Sequence, residues 1–265
     1  MPRGRRFVAL AALLGAASSR AQGCVEFAKS ARVHLPGQRL DPPLGFVHLT
    51  KTGGTAIRFM ACPDLRCYKG HHATAGFWHK MGMRSIAIIR EPVERFVSAF
   101  DYAKGGSEIH KGQELSAPGK YLEVFQRFTC AADFVNALAD KGHWSHAAAV
   151  EALTKREDGR QFRNQTAWIK GAPRNRVTIG CYSEEMLSQN LERLLRKLGS
   201  DCSVALSAIN KSNRSFSRAP GQPEPACALK ENHTRWVKAL YPQDVMLYAS
   251  ICSRRAPHLT QHSQI

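Results

Sequence analysis

From residue 44 onward, short apolar runs that end in turn residues alternate with longer stretches whose apolar residues recur at helical spacing. Phe46, Val47 and Leu49 form a run rich in β formers that predicts a buried strand. Met83 to Ile89 is a second, with Ile86, Ile88 and Ile89 suited to a central parallel strand, and Val177 to Tyr182 reads as a third. Helical patterns fill the intervals. Ala56 to Ala61 is one, stopped by Pro63. Behind Pro92, Val93, Phe96, Val97 and Phe100 share one face. Phe125 to Leu138 reads as a further helix. Ser183 caps a segment with Met186, Leu187, Leu191, Leu194, Leu195 and Leu198 inward and Gly199 as its stop. Trp236 to Ile251 reads as a closing helix. The alternation predicts an α/β fold, a central parallel sheet flanked by helices.

Two strand ends carry the candidate chemistry. The first apolar run leads into Lys51-Thr52-Gly53-Gly54-Thr55. Adjacent glycines let the backbone approach a ligand and turn freely, and Thr55 stands where a helix cap is expected. Strand, glycine turn and helix start aim unpaired N–H groups at one point, to which Lys51 adds a full charge. An anion, most simply a phosphate, suits that point. The lysine precedes the glycines, unlike the nucleotide loop GxxxxGK[ST], whose lysine adjoins a magnesium-holding hydroxyl. The second run ends in Arg90-Glu91-Pro92-Val93-Glu94-Arg95-Phe96-Val97-Ser98. Arg90 at the strand end and Ser98 two helical turns later both reach the crevice where open α/β sheets bind ligands, and a guanidinium fork suits phosphate oxygens. Arg95 either pairs with a neighbouring carboxylate or adds to the same anion site.

In this order the two motifs resemble those of sulfotransferases, especially the Golgi carbohydrate enzymes. KTGGT is similar to their 5′-phosphosulfate loop, with Thr50 where proline is usual, and IIREPVERFVSAF resembles their 3′-phosphate motif. Further likenesses are Asn164-Gln165-Thr166 with Trp168 and Gly171, Asn210-Lys211-Ser212, and the ending that includes Tyr241, Asp244, Leu247 and Tyr248. Together they cover about residues 44 to 252. The resemblance implies a P-loop NTPase-like (sulfotransferase) fold and transfer of a sulfuryl group from 3′-phosphoadenosine 5′-phosphosulfate to a carbohydrate hydroxyl. It assigns Lys51, Thr52, Gly53, Gly54, Thr55, Arg90 and Ser98 to the co-substrate, with Lys51 also serving catalysis, and requires no metal. A histidine is the natural base because its pKa lies near working pH. His71, after Gly70, resembles the catalytic histidine of uronyl 2-O-sulfotransferases; those enzymes have a second histidine where Lys69 stands here, and His72 is the alternative. Cys62, Cys67, His71 and His72 fit no common zinc spacing.

A 265-residue chain that is 43% hydrophobic and 22% charged forms a globular protein with one substantial core. Its net charge of +17 attracts acidic partners, and with the resemblance it points to an acidic polysaccharide or other glycan acceptor rather than nucleic acid. A basic head, the apolar run Phe7 to Ala17 and small residues near Ala21 predict a signal peptide or short signal-anchor over 1–21, with an organelle transit peptide as the rival. An anchor would associate the protein with a membrane. Residues 22–43 then read as an arm, 44–254 as the domain and 255–265 as a tail. Eight cysteines and four glycosylation sequons, at Asn164, Asn210, Asn213 and Asn232, agree with the secretory pathway and Golgi lumen. Cys62 and Cys67 are near enough to bridge across the Pro63-Asp64 turn. Two other classes fit parts of the pattern: a P-loop nucleotide kinase or hydrolase, and a non-catalytic secreted polyanion binder.

Overall fold

The computed structural model describes residues 25–27, 37, 39–54, 57, 62–68, 72–105, 121–154, 159–183, 186–202 and 227–253. Five parallel strands form one sheet: β1 (Val25–Phe27), β2 (Leu44–Val47), β3 (Leu65–Tyr68), β4 (Ser85–Ile89) and β5 (Val177–Cys181), in the order β1-β3-β2-β4-β5. Gly45 pairs with Ser85, and Ser85 with Val177, so β2, β4 and the edge strand β5 run in step. The expected α/β architecture is therefore present. The arm contributes β1 to the sheet, and Leu65–Tyr68 is the strand between β1 and β2.

Period-two alternation sorts the sheet residues onto two faces. Leu44, Phe46, Leu65, Cys67, Ile86 and Ile88 join a cluster with Leu187, Leu191, Leu194 and Leu195 from α7 (Leu187–Lys197). On the other face, Val47, Ala87 and Ile89 pack with Trp78 of α1 (Ala75–Lys80), Trp168 of α6 (Gln165–Ile169) and Leu247 and Tyr248 of α9 (Pro242–Ile251). Gly45 makes room for α1: a Cβ there would lie 2.2 Å from Trp78 Cδ2, and the indole N–H donates to the Phe46 carbonyl at 3.0 Å. A third cluster, rich in phenylalanine, joins α2 (Pro92–Gly105), α3 (Tyr121–Gln126), α4 (Ala131–Ala139), α5 (His146–Thr154) and α8 (Glu231–Leu240).

Three predicted helices differ in extent. Phe125 to Leu138 is divided into α3 and α4 around Cys130, which is bonded to Cys227. Trp236 to Ile251 is divided at Tyr241: Pro242 lacks the N–H that would continue α8 and instead opens α9. The segment after Ser183 becomes helical at Leu187, and Gly199, at φ 90°, ends it as expected. Cys62 bonds Cys202 rather than Cys67, with Cα atoms 5.5 Å apart. Cys62 lies before β3 and faces the end of α7, where Asp64 accepts from the Ser200 hydroxyl at 2.6 Å and orders that corner. Cys181–Cys252 is a third bond, and Cys67 is also disulfide-bonded. Such a set belongs to an oxidising compartment. Among the described residues, no helix is long and apolar enough to cross a membrane.

Candidate functional site

The strand order creates the site. From β2 the chain passes to β3 on one side and later to β4 on the other, so β2 and β4 flank the point where the direction of winding reverses. Loops leaving such neighbouring strands diverge and leave a crevice at their C-terminal ends. The loop after β2 carries Lys51 to Gly54, and the residue after β4 is Arg90.

Within the first loop, Lys51 has φ 63° and Gly53 φ 76°, while Thr52 between them does not share the positive sign. Alternating handedness turns successive N–H groups toward one side, forming an anion-holding concavity. For lysine this conformation costs roughly 1–2 kcal/mol, a strain glycine avoids. The loop is held from below. Thr50 donates its hydroxyl to the Gln161 carbonyl and Thr52 its hydroxyl to the Leu49 carbonyl, each at 3.2 Å. Thr52 thus offers a ligand its N–H while its hydroxyl proton is committed to the loop. The Ile57 N–H donates to the Gly53 carbonyl at 3.2 Å, so helical bonding begins at Gly53, two residues before the cap expected at Thr55. Thr55 and His71 lie outside the described residues.

Lys51 lies with its ammonium 4.1 Å from the centroid of the Tyr102 ring, on α2. Burial and the nearby Arg90 charge push its pKa down to about 8, and Asp101 only partly offsets them. That the Arg90 charge acts on Lys51 places the two cations near one another. Arg90 is itself mostly covered: its Nε donates to Glu94 at 3.3 Å, and its guanidinium lies 4.6 Å from the centroid of Tyr182. The same tyrosine abuts the first loop, since a Cβ on Gly53 would come within 3.0 Å of its ring and 2.6 Å of Leu187. Tyr182 therefore joins the two cationic motifs. Ser98, half-buried, is one turn from Glu94 and one turn from Asp101 and Tyr102 on α2, between the groups that meet Arg90 and those that meet Lys51.

The backbone of Arg90 is clamped by one side chain. Gln165 accepts from the Arg90 N–H and donates to its carbonyl, both at 2.8 Å. Asp244, fully buried, in turn accepts from the N–H groups of Gln165 at 2.7 Å and Thr166 at 2.9 Å, and from the Thr166 hydroxyl. Arg95, also buried, sits 3.8 Å from Asp244 and donates to the Gln161 carbonyl at 3.1 Å. Of its two expected roles it takes the pairing with a carboxylate. Burial among these groups pushes Tyr241 up to about 12.

Two imidazoles lie on the other side of the loop. His48 and His72 stack with centroids 5.1 Å apart, and His72 is 5.4 Å from Trp168. His72 Nδ1 is 3.1 Å from the His48 carbonyl. A carbonyl only accepts, so Nδ1 carries a proton in this contact, and in the neutral form of the ring Nε2 is the basic nitrogen. His48 packs against Gly54 so closely that a Cβ there would fall 2.0 Å from its Cδ2. Sequence reading did not single out His48, Tyr102 or Tyr182. The first had a usable signal, a histidine alternating with Phe46 at the end of the strand that feeds the glycine turn. The tyrosines reach the site only through tertiary packing. Among the described residues, no group of three or more His, Cys, Asp or Glu side chains is arranged to hold a metal ion.

Comparison with family models, with curated proteins and with solved structures finds no match to this chain.

Proposed function

We propose that this protein is a carbohydrate sulfotransferase of the secretory pathway, working in the Golgi lumen with 3′-phosphoadenosine 5′-phosphosulfate as co-substrate. The observation that carries this reading is the placement of Tyr182 against both Gly53 and Arg90, which unites two separate anion-holding motifs at the switch point of the sheet. A ligand with anionic groups at two ends engages both motifs at once. The residues fit such a nucleotide in kind: backbone N–H groups of Thr52, Gly53 and Gly54 with the Lys51 ammonium for one end, and the Arg90 guanidinium with the Ser98 hydroxyl for the other.

In the proposed reaction the acceptor hydroxyl oxygen bonds to sulfur as the sulfur–oxygen bond to the 5′-phosphate breaks, and the hydroxyl proton passes to a histidine. Lys51 balances charge on the departing phosphate oxygen. The resemblance favours His71 as that base, and His72, whose Nδ1 faces the His48 carbonyl, is the alternative. Positioning and charge account for most of the catalysis, as in phosphoryl transfer. The test is incubation of the secreted protein with sulfur-labelled donor and a panel of polysaccharides, beside a titration with adenosine 3′,5′-bisphosphate. Label in a polysaccharide and saturable bisphosphate binding are expected. Magnesium-dependent ATP turnover in place of both would identify a nucleotide kinase or hydrolase, and polysaccharide binding with neither would identify a non-catalytic polyanion binder.

A further inference from the structure

We infer that the flank of the sheet built from α1, α6 and the 3-10 turn Arg174–Arg176 is a docking surface for an anionic polysaccharide, which it leads toward the crevice. The choice of polysaccharide rests on the sulfotransferase reading; the surface itself does not. Leu65 to Arg90 contains no Asp or Glu, and neither does Gly159 to Ser183. The fold lays these two stretches side by side. Gly76 of α1 meets the loop after α6 so closely that a Cβ on it would be 3.1 Å from the Gly171 carbonyl oxygen. Exposed on this flank are Lys80, Arg163, Lys170, Arg174 and Arg176. The neighbouring helix α9 has one acid, Asp244, and it is fully buried.

Elsewhere among the described residues some cations find carboxylates, as Arg39 does with Asp201, Arg196 with Glu192 and Arg235 with Glu231, and others such as Lys141 and Lys238 stand singly rather than in an acid-free group. Among the described residues, none of the five cations on the flank has an acidic partner. Unneutralised charge of one sign raises the local concentration of a polyanion, and guanidinium forks suit carboxylate and sulfate groups.

The direction of the surface follows from the strands. Arg163 lies 4.7 Å from the Trp168 ring, which contacts His72 beside the crevice. Arg176 immediately precedes β5, at the opposite end of the sheet. The strands between these levels rise about 3.3 Å per residue, so the five residues of β4 set a length of about 17 Å. A chain-like anion fits such a stripe; a compact one uses only part of it.

The test uses the full chain and a fluorescein-labelled oligosaccharide cut from heparin, with the R174E/R176E double variant and a K141E/K238E control of equal net charge whose sites lie on other exposed surfaces. Unchanged melting temperature checks that each folds. The flank variant is expected to lose about tenfold or more in affinity and the control less than about twofold. Equal losses, or none in the flank variant, would overturn the inference. Tighter binding of an equally charged single-stranded DNA than of the heparin fragment would overturn the choice of polysaccharide. Binding of adenosine 3′,5′-bisphosphate is measured in parallel: its absence with intact oligosaccharide binding would sink the proposed reaction and leave the surface standing.

Discussion

The guanidinium of Arg90 rests 4.6 Å from the centroid of the Tyr182 ring, and that ring is also what a side chain on Gly53 would strike. Arg90 thereby has one orientation relative to the glycine loop, set by a residue that follows a third strand. Replacing Tyr182 by Leu keeps apolar bulk but removes the π face. A contact of this kind contributes about 1 kcal/mol, so Tyr182→Leu should weaken adenosine 3′,5′-bisphosphate binding about fivefold, read by titration calorimetry. Arg90→Ala should weaken it much further. Equal, wild-type affinity in both would place the nucleotide elsewhere.

Lys51 holds a destabilised charge. Its pKa of about 8 lies below the free-lysine value, so between these two limits the unfolded chain binds more protons than the folded one and stability rises with pH. Lys51→Met retains the stem without the charge. At pH 7 it should raise the melting temperature by about 2–4 °C, the change expected for roughly 1 kcal/mol in a chain of this size, with the difference shrinking toward pH 10. The same variant should lose nucleotide binding. In the unaltered protein, affinity should fall as pH rises through about 8 and Lys51 discharges.

Gly54 and His48 form a steric pair. A methyl group at Gly54 would overlap the imidazole, so Gly54→Ala should cost about 1–3 kcal/mol in urea unfolding. Adding His48→Ala vacates the space and should return most of that loss. Failure of the double variant to recover would mean that backbone freedom, rather than the imidazole, dictates glycine here.

Asp244 connects buried charge to the clamp on Arg90. Asp244→Ala strands Arg95 in the interior and uncaps the Gln165 helix. Breaking a buried pair from one side costs about 3–5 kcal/mol, which equilibrium denaturation would reveal. Asp244→Asn, still able to accept from one N–H, should cost less.

The two cationic motifs were legible because each is local: a glycine pair after an apolar run, and an arginine before a proline-started helix. Sheet order was not legible, since Leu65–Tyr68 is short and interrupted by Arg66, and only pairing with β1 and β2 identifies it as a strand. The break at Tyr241 had a sequence signal in Pro242, outweighed by apolar residues that continue on both sides. The break around Cys130 had a weak local signal in Asp133, whose carboxylate accepts from the Thr129 N–H at the helix start, and it accompanies a bond to the distant Cys227. His48, Tyr102 and Tyr182 were invisible as site residues for the same reason: what gives each its place is a neighbour far away in the chain.

Cys62, Cys130 and Cys181 bond to Cys202, Cys227 and Cys252. All three later partners follow residue 200, whereas the Lys51 loop and Arg90 are synthesised much earlier. During translation the anion loops therefore emerge long before any of these crosslinks can close, and the order in which the ribosome delivers the chain sets the order of locking. Cys252 comes last, and its bond to Cys181 fastens α9, with Asp244 and through it the Gln165 clamp, to the strand that precedes Tyr182. A nascent chain short of that cysteine carries both cationic motifs without the latch that holds them in register.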